Sequence, residues 1–126
     1  MCVCVCVFGF HYSSTVFFSA GWALNIAIGP FFDAETVLAI WHFVHPADRH
    51  QLEAWLQAKG CSVYKNNYFV QDHEWDDIKA LGIRVQRIAQ KCGETVMVPL
   101  GAPHQVYNMQ GLLSFSLSPW LFLFFA

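Results

Sequence analysis

The stretch from Gly93 to Asn108 has residue types and a spacing that could position a metal-binding imidazole. It runs glycine, five residues, proline, one residue, glycine, two residues, histidine, three residues, asparagine. Pro99 fixes the backbone φ angle and Gly101 permits a sharp corner, so His104 would follow a stiff turn. A metal ligand needs such a rigid support, because its donor atom must be aimed at a shared centre. The pattern favours either a metal ligand at His104 or a partly exposed histidine on an ordinary hairpin.

The other metal-binding residue types add no ligand set by spacing alone. Cysteines 2, 4 and 6 alternate with valines and would share one strand face at intervals of about 6.6 Å. Thiolates that share a zinc ion lie closer together than this. Four further histidines have no common ligand spacing, and we interpret each as a structural or surface residue: His42, His45, His50 and His73.

The aromatic and acidic residues in the middle of the chain have simple structural interpretations. The acidic run 72–77 is typical of a solvated helix start, where carboxylates suit the helix dipole. A methyl-lysine cage would need several aromatic rings that converge on one cation, which spacing cannot establish. We therefore predict core positions for Trp41, Trp55, Phe69 and Trp75.

Short strands and one or two helices must position these residues. Residues 40–44 are β-branched and aromatic and predict a buried strand. Residues 47–59 have apolar positions at helical spacing and predict a helix. The run 62–70 indicates a strand or an extended connection, and 72–80 predict a short helix.

The second half of the chain is predicted to be β structure. Strands are predicted around 83–88, at 95–98 and at 105–107, and the last two are joined by the turn at 99–103. We find no internal repeat. The fold class is therefore mostly β with α, and a barrel or sandwich is the natural way to close such strands.

Composition limits the class of protein. The 126 residues suit one domain, and 56% hydrophobic residues exclude a disordered chain. A net charge of −2 gives no basic footprint for nucleic acid. The first 32 residues and those after Glu94 carry no formal charge. Residues 13–32 raise the question of a membrane span, but glycine, proline and serine interrupt them and no Lys or Arg flanks them, so a membrane partner is not expected.

The motif at 93–108 resembles the second conserved motif of the cupin superfamily and, more narrowly, the C-terminal part of a JmjC domain. Residues 25–30, 40–44, 47–59 and 81–94 are similar to the strands and helix that surround it in that family. The resemblance covers residues 20–110. It implies a cupin-like double-stranded β-helix, which we expect to be incomplete.

JmjC domains are Fe(II)- and 2-oxoglutarate-dependent oxygenases, among them histone lysine demethylases and protein hydroxylases. The resemblance therefore implies Fe(II) and 2-oxoglutarate as cofactors, held by a facial triad of a His-x-Asp/Glu pair and one distant histidine. His104 matches the distant histidine. Asn25 matches a position that often helps to hold 2-oxoglutarate, and Asn108 would support the pocket; each has an ordinary hydrogen-bonded asparagine as its alternative.

The chain departs from the family at the other two ligands. The His-x-Asp/Glu pair is expected near residues 15–17, where neither histidine nor an acid is present. The nearest histidine, His11, is the second candidate metal ligand, with a polar terminal residue as its alternative. Asp33 lies in an apparent insertion, and no cationic cofactor anchor precedes Trp41.

Three functions follow from the resemblance. The first is a JmjC-type oxygenase that is incomplete or inactive as written, so whether the chain is an enzyme is left open. The second is a catalytically inactive JmjC-like binding module, and the third is a small metal-binding cupin of another class. The expected partner is a histone tail or another protein substrate, and the expected location is the nucleus. We expect residues 1–19 and the apolar tail 111–126 to be inauthentic sequence around a domain at 20–110.

Overall fold

The computed structural model describes residues 33–65 and 68–109, together with the backbone of three strands at 5–6, 23–28 and 113–117. Seven strands lie in this part of the chain: β1 (Val5–Cys6), β2 (Ala23–Ile28), β3 (Val37–Val44), β4 (Val85–Lys91), β5 (Thr95–Val98), β6 (His104–Asn108) and β7 (Leu113–Leu117). A 3-10 helix (Pro46–Asp48) leads into α1 (Arg49–Gln57), and α2 (Glu74–Ala80) follows.

The strands form two antiparallel sheets. The larger sheet has the order β1-β7-β2-β5, and the smaller has the order β4-β3-β6. A buried cluster joins them, because it combines side chains of β3 with side chains of β5. We call this cluster the inner core: Leu38, Ala39, Trp41, Phe43, Val96, Val98 and Ala102. The fold is mostly β with two helices, as the sequence pattern predicted, and it is cupin-like, as the resemblance implied.

Strand pairing brings together the four strands that the resemblance placed in one unit. Asn25 of β2 is in register with Val96 of β5. Trp41 of β3 is in register with Val106 of β6. Val96, Trp41 and Val106 then meet in or against the inner core. The strands β2, β3, β5 and β6 therefore pack together, as a cupin-like fold requires.

The turn at 99–103 links the two sheets and does not close a hairpin. The β5 strand pairs with β2, whereas β6 pairs with β3. The turn is closed by a hydrogen bond from the Ala102 N–H to the Pro99 carbonyl (3.2 Å), and Gly101 has a φ of 72°. The Pro103 carbonyl accepts from the Val44 N–H at 2.8 Å, which ties the turn to the end of β3. The hairpin alternative is therefore wrong.

The two helices cover the other face of the smaller sheet. A second buried cluster, the outer core, fills this layer: Val44, Leu52, Leu56, Val63, Val70, Trp75, Ile78 and Ile83. Because β3 is buried on both faces, its sequence is apolar at every position except His42 and does not alternate. The helices predicted at 47–59 and 72–80 are confirmed, the first as a 3-10 turn followed by α1.

The connection between the helices is not a strand. Its described residues, 62–65 and 68–70, form turns and irregular backbone. The Val70 N–H and carbonyl bond the Gln105 side chain at 2.8 and 2.9 Å, so a side chain takes the place of a neighbouring strand. The strand alternative for 62–70 is wrong, and the described part of this connection includes a turn at 63–65. In the described residues no helix has the length and apolar character to cross a membrane.

Candidate functional site

His104 lies at the start of β6 with its ring in the apolar layer between the sheets. The residue is 8% exposed. Its ring centroid is 6.0 Å from that of Trp41 and 5.8 Å from that of Phe43. The Phe43 backbone is its register partner on β3. The stiff turn predicted from the prolines and Gly101 therefore delivers a buried imidazole, and the alternative of a partly exposed histidine is wrong.

The turn also sets the hydrogen bonding of the His104 ring. Nδ1 lies 3.0 Å from the Ala102 carbonyl oxygen. A carbonyl oxygen can only accept, so Nδ1 donates and the neutral ring carries its lone pair on Nε2. Burial lowers the pKa of His104, and the hydrogen bond to Ala102 opposes this by a smaller amount. A neutral ring fixed by a backbone carbonyl is the usual state of a metal-binding histidine.

The wall beside His104 is held by a buried glutamine that the sequence did not reveal. The Trp41 Nε1–H donates to Gln90 Oε1 at 2.7 Å, and Gln90 Nε2 donates to the Glu94 carbonyl at 2.9 Å. Gln90 is fully buried at 0% exposure. Gln90 is one of two glutamines in β4, and nothing in the local sequence distinguishes it or indicates a partner 49 residues away.

Gln105, the residue after His104, is held by hydrogen bonds on the opposite face of the smaller sheet. Gln105 is 2% exposed and holds both backbone polar groups of Val70. His104 and Gln105 are neighbours on a strand, so their side chains leave on opposite faces. The start of β6 is thereby anchored on both faces, which gives His104 the rigid support that its candidate role requires.

The other candidate residues are placed less completely. Asn108 is half-buried at the end of β6 and is in register with Ala39. By strand alternation it shares a face with His104, about 13 Å along the strand. For Asn25 the backbone is placed between Val96 and Ser116, and no side-chain contact is described. His11 lies outside the described residues. The structure therefore brings His104 and Asn108 to one strand face and tests neither Asn25 nor His11 as a ligand.

All nine aspartate and glutamate residues of the chain fall within the described residues, so the position of each carboxylate is known. Most accept hydrogen bonds from groups other than His104: Asp33, Glu35, Asp48, Glu53, Glu74, Asp76 and Glu94. The others, Asp72 and Asp77, are exposed on the helix side. Among the described residues no three His, Cys, Asp or Glu side chains could hold one metal ion.

Asp33 is the acidic residue nearest in sequence to the expected position of the carboxylate ligand. Its carboxylate instead accepts hydrogen bonds within the turn at 33–36. Asp33 Oδ1 accepts from the Thr36 hydroxyl at 2.8 Å and from the Glu35 N–H at 3.0 Å. These bonds lower the pKa of Asp33. The side chain is exposed, whereas His104 is buried. Asp33 is a turn residue in this structure.

His42, the histidine of β3, does not lie beside His104. Its ring stacks on Trp75 with centroids 4.5 Å apart and planes within 8°. Trp75 belongs to the outer core, so His42 and His104 lie on opposite faces of the smaller sheet. Burial lowers the pKa of His42, and Arg87 and Lys79 add to this while Asp72 opposes it. The interpretation of His42 as a structural residue agrees with this packing.

Two antiparallel sheets that enclose a buried histidine, held by a backbone carbonyl, are the arrangement of a cupin-like protein. Among models of known families, that of the JmjC domain, described as a hydroxylase, matches residues 1–117. The chain belongs to the JmjC domain family. No curated protein is a significant match.

Because the chain is a JmjC domain, its described metal-ligating side chains can be compared with those that an Fe(II) site requires. JmjC domains are generally Fe(II)- and 2-oxoglutarate-dependent, and a facial triad of two histidines and one carboxylate would hold the iron. The described residues supply one suitable imidazole at His104 and no carboxylate beside it. This donor set does not fit a complete Fe(II) site.

Proposed function

We propose that this chain is a JmjC-type domain that keeps the hydroxylase scaffold but does not carry out the oxygenase reaction as the chain stands. One observation carries the proposal: His104 is buried with its ring held by the Ala102 carbonyl, while each carboxylate of the chain either accepts hydrogen bonds from other groups or is exposed on the helix side. A facial triad without its acid leaves Fe(II) with one anionic ligand fewer and with no fixed geometry. Metal activation and positioning supply most of the rate at such sites, so a partial site has no partial activity.

The function that this scaffold supports best is therefore binding. The apolar layer around His104 and the anchored start of β6 are present without the triad. A histone tail or another protein segment is the partner that we propose, and the nucleus is the proposed location. Family membership supports both assignments, since the family includes histone demethylases. Cross-linking of the tagged chain in cells, with nuclear and cytoplasmic fractions analysed separately, tests partner and location together.

The test of inactivity is a succinate-release assay on the purified full chain. Fe(II), ascorbate, 2-oxoglutarate and methyl-lysine peptides are supplied, and a His104→Ala variant is the matched control. We expect no succinate above the blank without protein from either chain. Succinate release by the wild type that disappears in His104→Ala would contradict the proposal and would make His11 the first residue to substitute.

A further inference from the structure

A lysine, two aromatic rings and a buried carboxylate converge on the helix side of the molecule, away from His104. Lys59 Nζ lies 4.5 Å from the centroid of the Trp55 ring and 5.5 Å from that of Tyr68. The same ammonium donates to Glu74 Oε1 at 2.9 Å. Trp55 and Tyr68 pack against the outer core. The convergence of rings on one cation, which spacing could not establish, is therefore present at Trp55, whereas Trp41 and Trp75 are buried core residues.

The two rings form walls at a right angle. Their centroids are 5.9 Å apart and their planes meet at 81°. A cation in the corner contacts the negative face of the Trp55 ring and stays within 6 Å of the Tyr68 centroid, which is the range of cation–π attraction. With Glu74 as the third wall, the corner has the shape and charge that suit an ammonium group.

The carboxylate wall does not depend on Lys59. The Glu74 side chain is 8% exposed. Glu74 also accepts from the Tyr68 hydroxyl at 2.6 Å and from the Gln71 N–H at 2.8 Å. Burial raises the pKa of Glu74, but the three hydrogen bonds outweigh it and lower the pKa to about 2. If Lys59 left the corner, two bonds would still hold an ionised carboxylate in place.

Lys59 can leave without a change of backbone. Its side chain is 36% exposed, so the corner is open to solvent. Lysine has a flexible four-carbon stem, and rotations within it carry the ammonium out. An unmethylated ammonium from another molecule would make the same contacts as Lys59. It would be outcompeted, because Lys59 is tethered and has a higher effective concentration at the site. A methylated ammonium is less strongly hydrated and places methyl groups on both rings, which favours it over Lys59.

We propose that Trp55, Tyr68 and Glu74 form a binding site for a methylated ammonium group, and that Lys59 occupies this site in the free protein. The site lies on the outer core, whereas His104 lies on the inner core. Binding at this site therefore requires no metal at His104.

Calorimetry with two probes tests the site on the full chain. The probes are choline and a short peptide with one trimethyllysine, titrated into wild type, Lys59→Ala and the matched control Lys65→Ala. Lys65 is exposed on the connection after α1. We expect Lys59→Ala to bind at least one probe about tenfold more tightly than wild type, since the competing ammonium is gone. We expect Lys65→Ala to match the wild type.

Glu74→Gln in the Lys59→Ala background is expected to reverse the gain, because the charge of the third wall is removed. A gain for choline alone would identify a small free cation as the ligand, and a gain for the peptide alone would identify a protein side chain; equal gains would show that the site recognises the methylated ammonium itself. No gain over wild type, or a gain that survives Glu74→Gln, overturns the proposal. Lys59→Gln keeps most of the stem and provides the same comparison if near-ultraviolet circular dichroism shows that Lys59→Ala is unfolded.

Discussion

Proton binding at His104 links the site to the stability of the molecule. Burial lowers the pKa of the folded ring below the ordinary value near 6.5. As the pH falls through 6.5, the unfolded chain therefore takes up a proton before the folded chain does. The contribution of a neutral His104 to stability is fully present above pH 6.5 and is lost as the pH falls toward the folded pKa.

We expect the urea midpoint of the wild type to fall between pH 7.5 and pH 5, and to fall less in His104→Phe. Phenylalanine fills a similar space among the rings of the inner core and does not titrate. His42 titrates with the same sign, so the quantity of interest is the difference between wild type and variant. The exposed His50 provides the control through His50→Asn. An identical pH dependence in wild type and His104→Phe would contradict the burial of a neutral ring.

The motif made His104 the main candidate from sequence, but its surroundings could not be predicted. Proline and glycine act on their own backbone, so the stiff turn follows from local chemistry. The roles of Gln90 and Gln105 depend on partners 49 and 35 residues away. The first partner is fixed by the pairing of β3 with β4, and the second by the packing of the connection before α2 against β6; local sequence encodes neither. Glu74 illustrates the same limit: its acidic run predicted a solvated helix start, and this one side chain is buried.

At the scale of the element, β3 is the strand on which the two layers depend. It pairs with β4 on one side and β6 on the other, and its two faces enter the inner and outer cores. The hydrogen bond from Trp41 to Gln90 joins β3 to β4 within the inner core. A buried donor that loses its partner costs the free energy of its desolvation.

A double-mutant cycle measures this bond. We expect Gln90→Leu to lower the free energy of unfolding by about 1–3 kcal/mol, because the Trp41 indole N–H is left buried and unpaired. In Trp41→Phe/Gln90→Leu the loss is expected to be smaller than the sum of the single losses, since both partners are removed together. Urea denaturation of the four proteins gives the coupling. Strict additivity would show that the bond contributes nothing to the wall beside His104.

The turn between β5 and β6 depends on the backbone conformation of Gly101. Gly101 has a φ of 72°, a region that side-chain-bearing residues rarely adopt, and a Cβ there would meet no atom within 4 Å. The cost of Gly101→Ala is therefore backbone strain alone, about 1–2 kcal/mol in the free energy of unfolding. Gly101→Asn is expected to cost less, because asparagine tolerates this conformation better. An alanine variant as stable as wild type would contradict the turn geometry.

For the whole molecule, the sequence was sufficient for the class of fold and insufficient for its connectivity. The run at 40–44 and the helical spacing at 47–59 identified β3 and α1, since burial imposes those patterns directly. The destination of β6 was not predictable, because a chain that leaves a turn can pair with the previous strand or cross to another sheet. Here β6 crosses and pairs with β3. That crossing places His104 against Trp41 and Phe43.

The central proposal is that a JmjC scaffold here presents one histidine suited to metal binding, with no carboxylate beside it among the described residues. Calorimetric titration of the full chain with Ni(II), as an air-stable substitute for Fe(II), tests it most directly, with His104→Ala alongside. Loss of a supporting group around a metal commonly costs about 10–100-fold in affinity, and loss of ligands costs more. We therefore expect only weak binding by the wild type and still weaker binding by His104→Ala. Tight one-to-one binding that is abolished in His104→Ala would contradict the account, because it would require a complete ligand set around this residue.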